Sequence, residues 1–135
     1  KSDPSDMSRI NMGDDADTIA KKIRKAKTDP DPLPDSYDGL ADRPEARNLV
    51  NLYAALSDTS REAVIAEFAG QQFGAFKPKL AELAVAQVAP ISAEMTRLMQ
   101  DTSEIDRILA CGAERARALA APILAQTYEI VGLVR

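Results

Sequence analysis

The sequence is 135 residues long, 45% hydrophobic and 28% charged, enough for one domain with a real core, and one domain is the expectation. Its formal charge of -4 and pI near 4.9 exclude a protein that coats nucleic acid wholesale, while leaving room for a local basic patch. With no histidine and a single cysteine, Cys111, this chain carries no histidine-based triad, zinc cluster or internal disulfide. The lone thiol fits a reducing cytosol, and no apolar run reaches the roughly 18 residues needed to span a bilayer. No charged-then-apolar leader opens the chain. A soluble, cytoplasmic protein with no membrane partner is expected. Carboxylates and lysines remain as catalysts, but no pair of them is flanked by the apolar residues that would shift a pKa toward neutrality.

Residues 1 to 13 are rich in Ser, Asp and Pro and lack a sustained apolar period, so they read as an extended loop. Ala16, Ile19, Ala20, Ile23 and Ala26 then fall at helical spacing, with Asp14, Asp15 and Asp17 at the start and Lys25 and Lys27 at the end, which complements the helix dipole. This predicts a helix over about 15 to 28. The run Asp29-Pro30-Asp31-Pro32-Leu33-Pro34 stops it, and 29 to 42 reads as a loop. Asp42 with Glu45 resembles a capping box with Pro44 in the first turn, ahead of an apolar face of Ala46, Leu49, Val50, Leu52, Tyr53 and Leu56. Thr59 with Glu62 repeats that signal before Val64, Ile65 and Phe68, and Gly70 is placed for a left-handed cap.

Phe73-Gly74-Ala75-Phe76 reads as an interruption. A long stripe follows through Leu80, Leu83, Ala84, Val88, Ile91, Met95 and Leu98, with Pro90 expected to bend it. Ser103 with Asp106 opens a last helix whose buried side would include Ile105, Ile108, Leu109, Ala116, Leu119, Ile123 and Tyr128, with Gly132 near its end. Strand patterns are missing, so the fold class is all-α, a bundle of about five helices.

The charged and aromatic features each admit two interpretations. Lys21, Lys22, Arg24, Lys25 and Lys27 crowd one helical stretch, where they either follow a phosphate backbone or solvate the back of the helix. Asp14, Asp15 and Asp17 read as helix capping in preference to a cation site, because no further ligands recur at suitable spacing. The series Asp29, Asp31, Asp35, Asp38 fails as a calcium loop, since Leu33 and Pro34 occupy positions that need an acid and a glycine and Leu40 replaces the terminal Glu. Calcium is rejected and no metal site is expected. Tyr53, Phe68, Phe73 and Phe76 could stack on bases but read as core. Cys111 reads as a small buried filler beside Gly112.

The opening Lys1-Ser2 with Asp3-Pro4 resembles the end of the Lys-Met-Ser-Lys-Ser loop of class I aminoacyl-tRNA synthetases. Asp14-Asp15-Ala16-Asp17-Thr18-Ile19, Lys21-Lys22-Ile23, Thr28-Asp29, Asn48-Leu49 with Asn51, Phe68 through Gly70, Gly74 with Phe76-Lys77, Pro90-Ile91 and Gly112-Ala113 follow in order. Together they resemble the C-terminal part of the bacterial tryptophanyl-tRNA synthetases over the whole chain. Two departures stand out: the first three residues of the signature loop are absent, and Met95 stands where an aromatic is common.

The resemblance implies a fragment of an enzyme that activates tryptophan with ATP and Mg2+ and passes it to tRNA(Trp). Residues 1 to 13 would be the end of the signature loop and a linker, and 14 to 135 a helical domain facing the anticodon end of the tRNA. The Rossmann domain would lie upstream and carry most of a homodimer interface. Lys1 would be the loop's second lysine, meeting charge on the departing pyrophosphate, and both Lys1 and Ser2 would serve ATP. Without the resemblance, the same pair is a frayed chain end. A free-standing helical interaction module without catalytic role is the competing interpretation, separated by whether a nucleotide-binding fold precedes Lys1.

Overall fold

The structure, a computed structural model, describes residues 4 to 133, so Lys1 and Ser2 lie outside the described residues. Five α-helices follow one another, α1 Ala16–Lys25, α2 Pro44–Ser57, α3 Arg61–Phe68, α4 Phe73–Gln100 and α5 Thr102–Val131, with no strand among the described residues. Short 3-10 turns at Asp6–Ser8 and Tyr37–Leu40 punctuate the connecting segments. The expected all-α class holds.

Helix α1 starts where its acids said it would, because the Asp15 carboxylate accepts the Thr18 backbone N–H at 2.7 Å and satisfies one orphan donor. It ends at Lys25, three residues short of the expected 28. The Ala26 N–H turns back to the Ile23 carbonyl, and the Ala26 carbonyl accepts the Lys77 ammonium from α4 at 2.7 Å. A tertiary donor replaces the next helical amide. The capping box expected for α2 does not form: Arg43 is the cap residue, without a side-chain cap bond, and Glu45 instead meets Lys27 at 3.0 Å. Pro44 does occupy the first turn. The cap of α3 is Ser60, not Thr59, its hydroxyl accepting the Ala63 N–H at 3.1 Å. Gly70 adopts the expected left-handed conformation, φ 73°.

Phe73 and Phe76 correct the expected interruption, since both lie inside α4, which runs on through Pro78 and Pro90. Gly74, exposed between them, does not break the helix because the flanking rings bury on one side and hold its turn. Loop 29 to 42 also contributes to the core: Leu33 and Leu40 are fully buried. The Leu33 N–H donates to the Gln71 carbonyl at 2.9 Å and its carbonyl accepts the Gly70 N–H at 2.8 Å, tying this loop to the α3–α4 turn. Gly39 is required nearby, because a Cβ there would stand 2.7 Å from Pro34 Cβ.

The chain divides into two units, one up to Met95 and one from Thr96. The first holds the core, with Ile19, Leu33, Leu40, Val50, Ile65, Phe76 and Leu80 fully buried. Tyr53, Phe68, Phe73 and Phe76 form a ring cluster at its centre, confirming their role as core. Phe76 lies 4.9 Å from Phe68, 5.6 Å from Tyr53 and 6.3 Å from Phe73, centroid to centroid. Phe76→Ala is therefore expected to cost this unit about 3–5 kcal/mol, seen as a lower urea midpoint with an unchanged slope. A midpoint equal to that of the unsubstituted chain would remove Phe76 from the centre of the core.

In the second unit Asp101 caps α5, accepting the Ser103 N–H at 3.1 Å, and Gly132 closes it at φ 71°. The expected buried stripe of α5 is corrected: Ile108, Leu109, Leu119 and Ile123 are 53, 64, 75 and 65% exposed. Ala116 is exposed, and Ile105 and Tyr128 are half-buried. Helical period determines which residues share a face, whereas burial also needs a surface to cover that face. Cys111 is likewise exposed, so it fills no cavity. No helix is long and apolar enough to cross a membrane among the described residues.

Candidate functional site

The segment ahead of α1 is built from short polar side chains that bond to nearby backbone. Ser5 caps the first 3-10 turn, its Oγ accepting the Met7 N–H at 3.2 Å, and the Ser8 hydroxyl donates to the Ser5 carbonyl at 2.8 Å. The Asn11 side-chain amide then donates to Asp6 at 2.8 Å, while its backbone N–H donates to Asp14 Oδ2 at 2.9 Å. Ile10 packs against the core.

Both carboxylates converge on Lys22. Its Nζ donates to Asp6 Oδ2 at 2.7 Å and to Asp14 Oδ2 at 2.6 Å, and its side chain is only 3% exposed. The hydrogen bonds it donates to Asp14 and Asp6 push the pKa of the Lys22 ammonium up from its ordinary value. Hydrogen bonding to Lys22 and Asn11 holds the Asp6 carboxyl below the usual range. Burial alone would raise Asp14, but the bonds from Lys22 and the Asn11 N–H outweigh it and hold that carboxyl low as well. The sign of linkage follows. The carboxylates' contribution is lost as pH falls through their lowered folded values, and that of Lys22 as pH rises through its raised one. The clamp's stabilising contribution is therefore fully present between 3.8 and 10.5, the groups' ordinary values.

This burial divides the five basic candidates. Lys22 sits with Ile19 and Ile23 on the core face of α1 and is not presented to solvent, a departure from the expected basic cluster. Lys21, Arg24 and Lys25 are exposed, and their i, i+3, i+4 spacing places them on one stripe on the side of α1 roughly opposite that face. Arg24 Nε also donates to the Ala20 carbonyl at 3.2 Å. Lys27 lies beyond the helix end, paired with Glu45. The period itself carried the missed signal, because position 22 falls three residues after Ile19 and one before Ile23.

Two further polar arrangements escaped sequence reasoning. Arg43 grips the proline loop through both Asp29 oxygens, Nε at 3.0 Å and Nη2 at 2.5 Å, and also donates to the carbonyls of Asp31 and Pro32. The Arg43 guanidinium holds the Asp29 carboxyl below its ordinary range. The Tyr37 hydroxyl donates to Asn51 Oδ1 at 2.8 Å and accepts from Arg47 Nε at 3.0 Å. The guanidinium carbons of Arg47 and Arg61 each lie 5.4 Å from the Tyr37 ring centroid. Among the described residues no group of acids or cysteines is disposed to hold a metal ion.

Residues 1–89 match the family of tRNA synthetases class I (W and Y). The chain is 63% identical over 135 residues to the tryptophan–tRNA ligase of Rhizobium meliloti (strain 1021) and 57% identical to that of Agrobacterium fabrum (strain C58 / ATCC 33970), covering 100% of this chain and 38% of each relative. A more distant relative, the tryptophan–tRNA ligase of Synechocystis sp. (strain ATCC 27184 / PCC 6803 / Kazusa), is 40% identical over 138 residues, covering 99% of this chain and 39% of its own length. The chain thus spans about two fifths of the curated relatives it matches. The motifs around α1 fall within the matched residues, and the likeness to these relatives runs through α5: the chain belongs to the class I tRNA synthetases of the W and Y type.

Proposed function

We propose that this chain is the C-terminal part of a tryptophan–tRNA ligase, which activates tryptophan with ATP and transfers it to tRNA(Trp). The observation that carries this is identity of 55–63% across all 135 residues to several ligases of that name. In this reading residues 1 to 13 end the ATP-binding signature loop and form a linker, and 14 to 135 form the helical, tRNA-facing domain. Lys1 and Ser2 serve the nucleotide, with the Lys1 ammonium meeting negative charge that grows on the leaving pyrophosphate. The exposed stripe Lys21, Arg24 and Lys25 faces tRNA phosphates, with Lys27 at its edge. Mg2+ enters with the ATP, and no described residue of this chain is assigned to hold it. The intact protein works as a cytoplasmic homodimer joined mainly through its upstream catalytic domain. No observation favours a free-standing interaction module.

The intact protein is expected to exchange pyrophosphate into ATP only when tryptophan is present. The 135-residue chain alone is expected to show no exchange, because the groups that hold adenine, ribose and amino acid lie in the upstream domain. Exchange by the purified chain, or an intact protein that activates another amino acid, would sink the assignment.

A further inference from the structure

Helix α5 buries none of its residues, yet its apolar side chains keep a strict register. Ile105, Leu109, Gly112, Ala116, Leu119 and Ile123 follow one another by 4, 3, 4, 3 and 4 positions, the seam along which one α-helix packs against another. The seam is about 27 Å long, and every charged residue of α5 lies off it. Gly112 is its least expected member. A glycine inside a helix is about four- to fivefold weaker than alanine as a helix former, and here an added Cβ would meet nothing within 4 Å. No turn or positive φ calls for it either, because the residue is helical and lies mid-α5. With Ala116 one turn on, Gly112 makes the centre of the seam shallow between Leu109 and Leu119, and that shape admits the backbone of a neighbouring helix at close range.

We propose that the α5 seam is the docking surface for an α-helix of the upstream part of the enzyme, seated with its backbone close to Gly112. The proposal rests on the reading of this chain as the C-terminal part of a tryptophan–tRNA ligase. Likeness to the Rhizobium meliloti ligase covers all 135 residues, α5 included, yet these are 38% of that protein's length, so about 220 residues lie outside them. A helix in the same polypeptide meets α5 at an effective concentration on the order of millimolar, above that of a free second copy, and so takes the seam first.

The test is amide hydrogen exchange, followed by mass spectrometry on the intact enzyme and on its Gly112→Ala and Gly112→Leu variants, with molecular mass by light scattering and tryptophan activation measured beside it. The two states of the seam give opposite signs. On an open seam Gly112→Ala strengthens the helix and slows exchange of the α5 amides by up to about fivefold. On a docked seam the added methyl meets the partner backbone, so α5 amides should exchange several-fold faster in Gly112→Ala and at least about tenfold faster in Gly112→Leu. One upstream helix should lose protection in step, and the molecular mass should not change. Slower or unchanged exchange in α5 overturns the proposal, as does faster exchange that no upstream segment follows. A fall in molecular mass would show that a second copy covers the seam, and it too overturns the proposal. Gly112→Ala decides the matter if Gly112→Leu fails to fold. An unsubstituted enzyme that does not activate tryptophan fails the functional reading alone, since the amide pattern of α5 and the upstream part still decides the docking.

Discussion

Lys1→Ala in the intact enzyme is expected to slow tryptophan activation by about 10²-fold or more, a loss of about 2.7 kcal/mol of transition-state stabilisation. Negative charge on the β- and γ-phosphates grows as the bond to the α-phosphate breaks, so in the proposed role the Lys1 ammonium would contribute most at that point and little to the ground state. Binding of tryptophan should therefore change far less than kcat. Single-turnover formation of tryptophanyl-adenylate separates the two quantities. An unchanged activation rate would reduce Lys1 to a surface residue.

The second large effect is expected from reversing the exposed stripe, with Lys21, Arg24 and Lys25 all replaced by Glu. Position 22 is left alone because a carboxylate there would face Asp6 and Asp14 within the clamp. The buried side of α1, Ile19 and Ile23, is untouched, so the fold should survive with small surface penalties. If the stripe meets phosphate, the tRNA concentration needed for charging rises more than tenfold, and the slope of log affinity against log salt flattens by roughly 2 to 3. Activation without tRNA should stay normal. Unaltered tRNA affinity and salt slope would identify the stripe as a solvated helix back.

The sequence disclosed the helices through their local periods, but their exact N-caps less well: α3 is capped by Ser60 and α5 by Asp101, where Thr59 and Ser103 were expected. Asp15 and Gly132 cap as their chemistry dictates, and Gly70 takes its left-handed turn. It disclosed less where a distant partner decides. Nothing near Ala26 announces that Lys77 will take its carbonyl, nor does any local pattern show that Leu33 and Leu40, between prolines and acids, are core. The capping box at Asp42 was plausible until Lys27 offered Glu45 another partner. The assignment of Lys1 and Ser2 rests on the resemblance to the synthetases alone, since both lie outside the described residues. By contrast Lys22 was hidden by its company: among five cations in seven positions it read as surface, though its place on the Ile19–Ile23 side marked it as different. The α5 stripe shows the opposite error, a real periodicity taken as proof of cover.

The pair of backbone bonds between Leu33 and the Gly70–Gln71 turn also has a meaning in time. During synthesis the proline-rich stretch leaves the ribosome well before residues 70 and 71, so for that interval its central leucine has neither amide partner nor completed core to enter. Helices α2 and α3, neighbours in sequence, can pair first, and the Gly70–Gln71 turn onto which Leu33 closes follows α3 and forms only once the start of α4 is made. The order of this loop is thus a late event in assembly, attained only after the chain beyond it has been made.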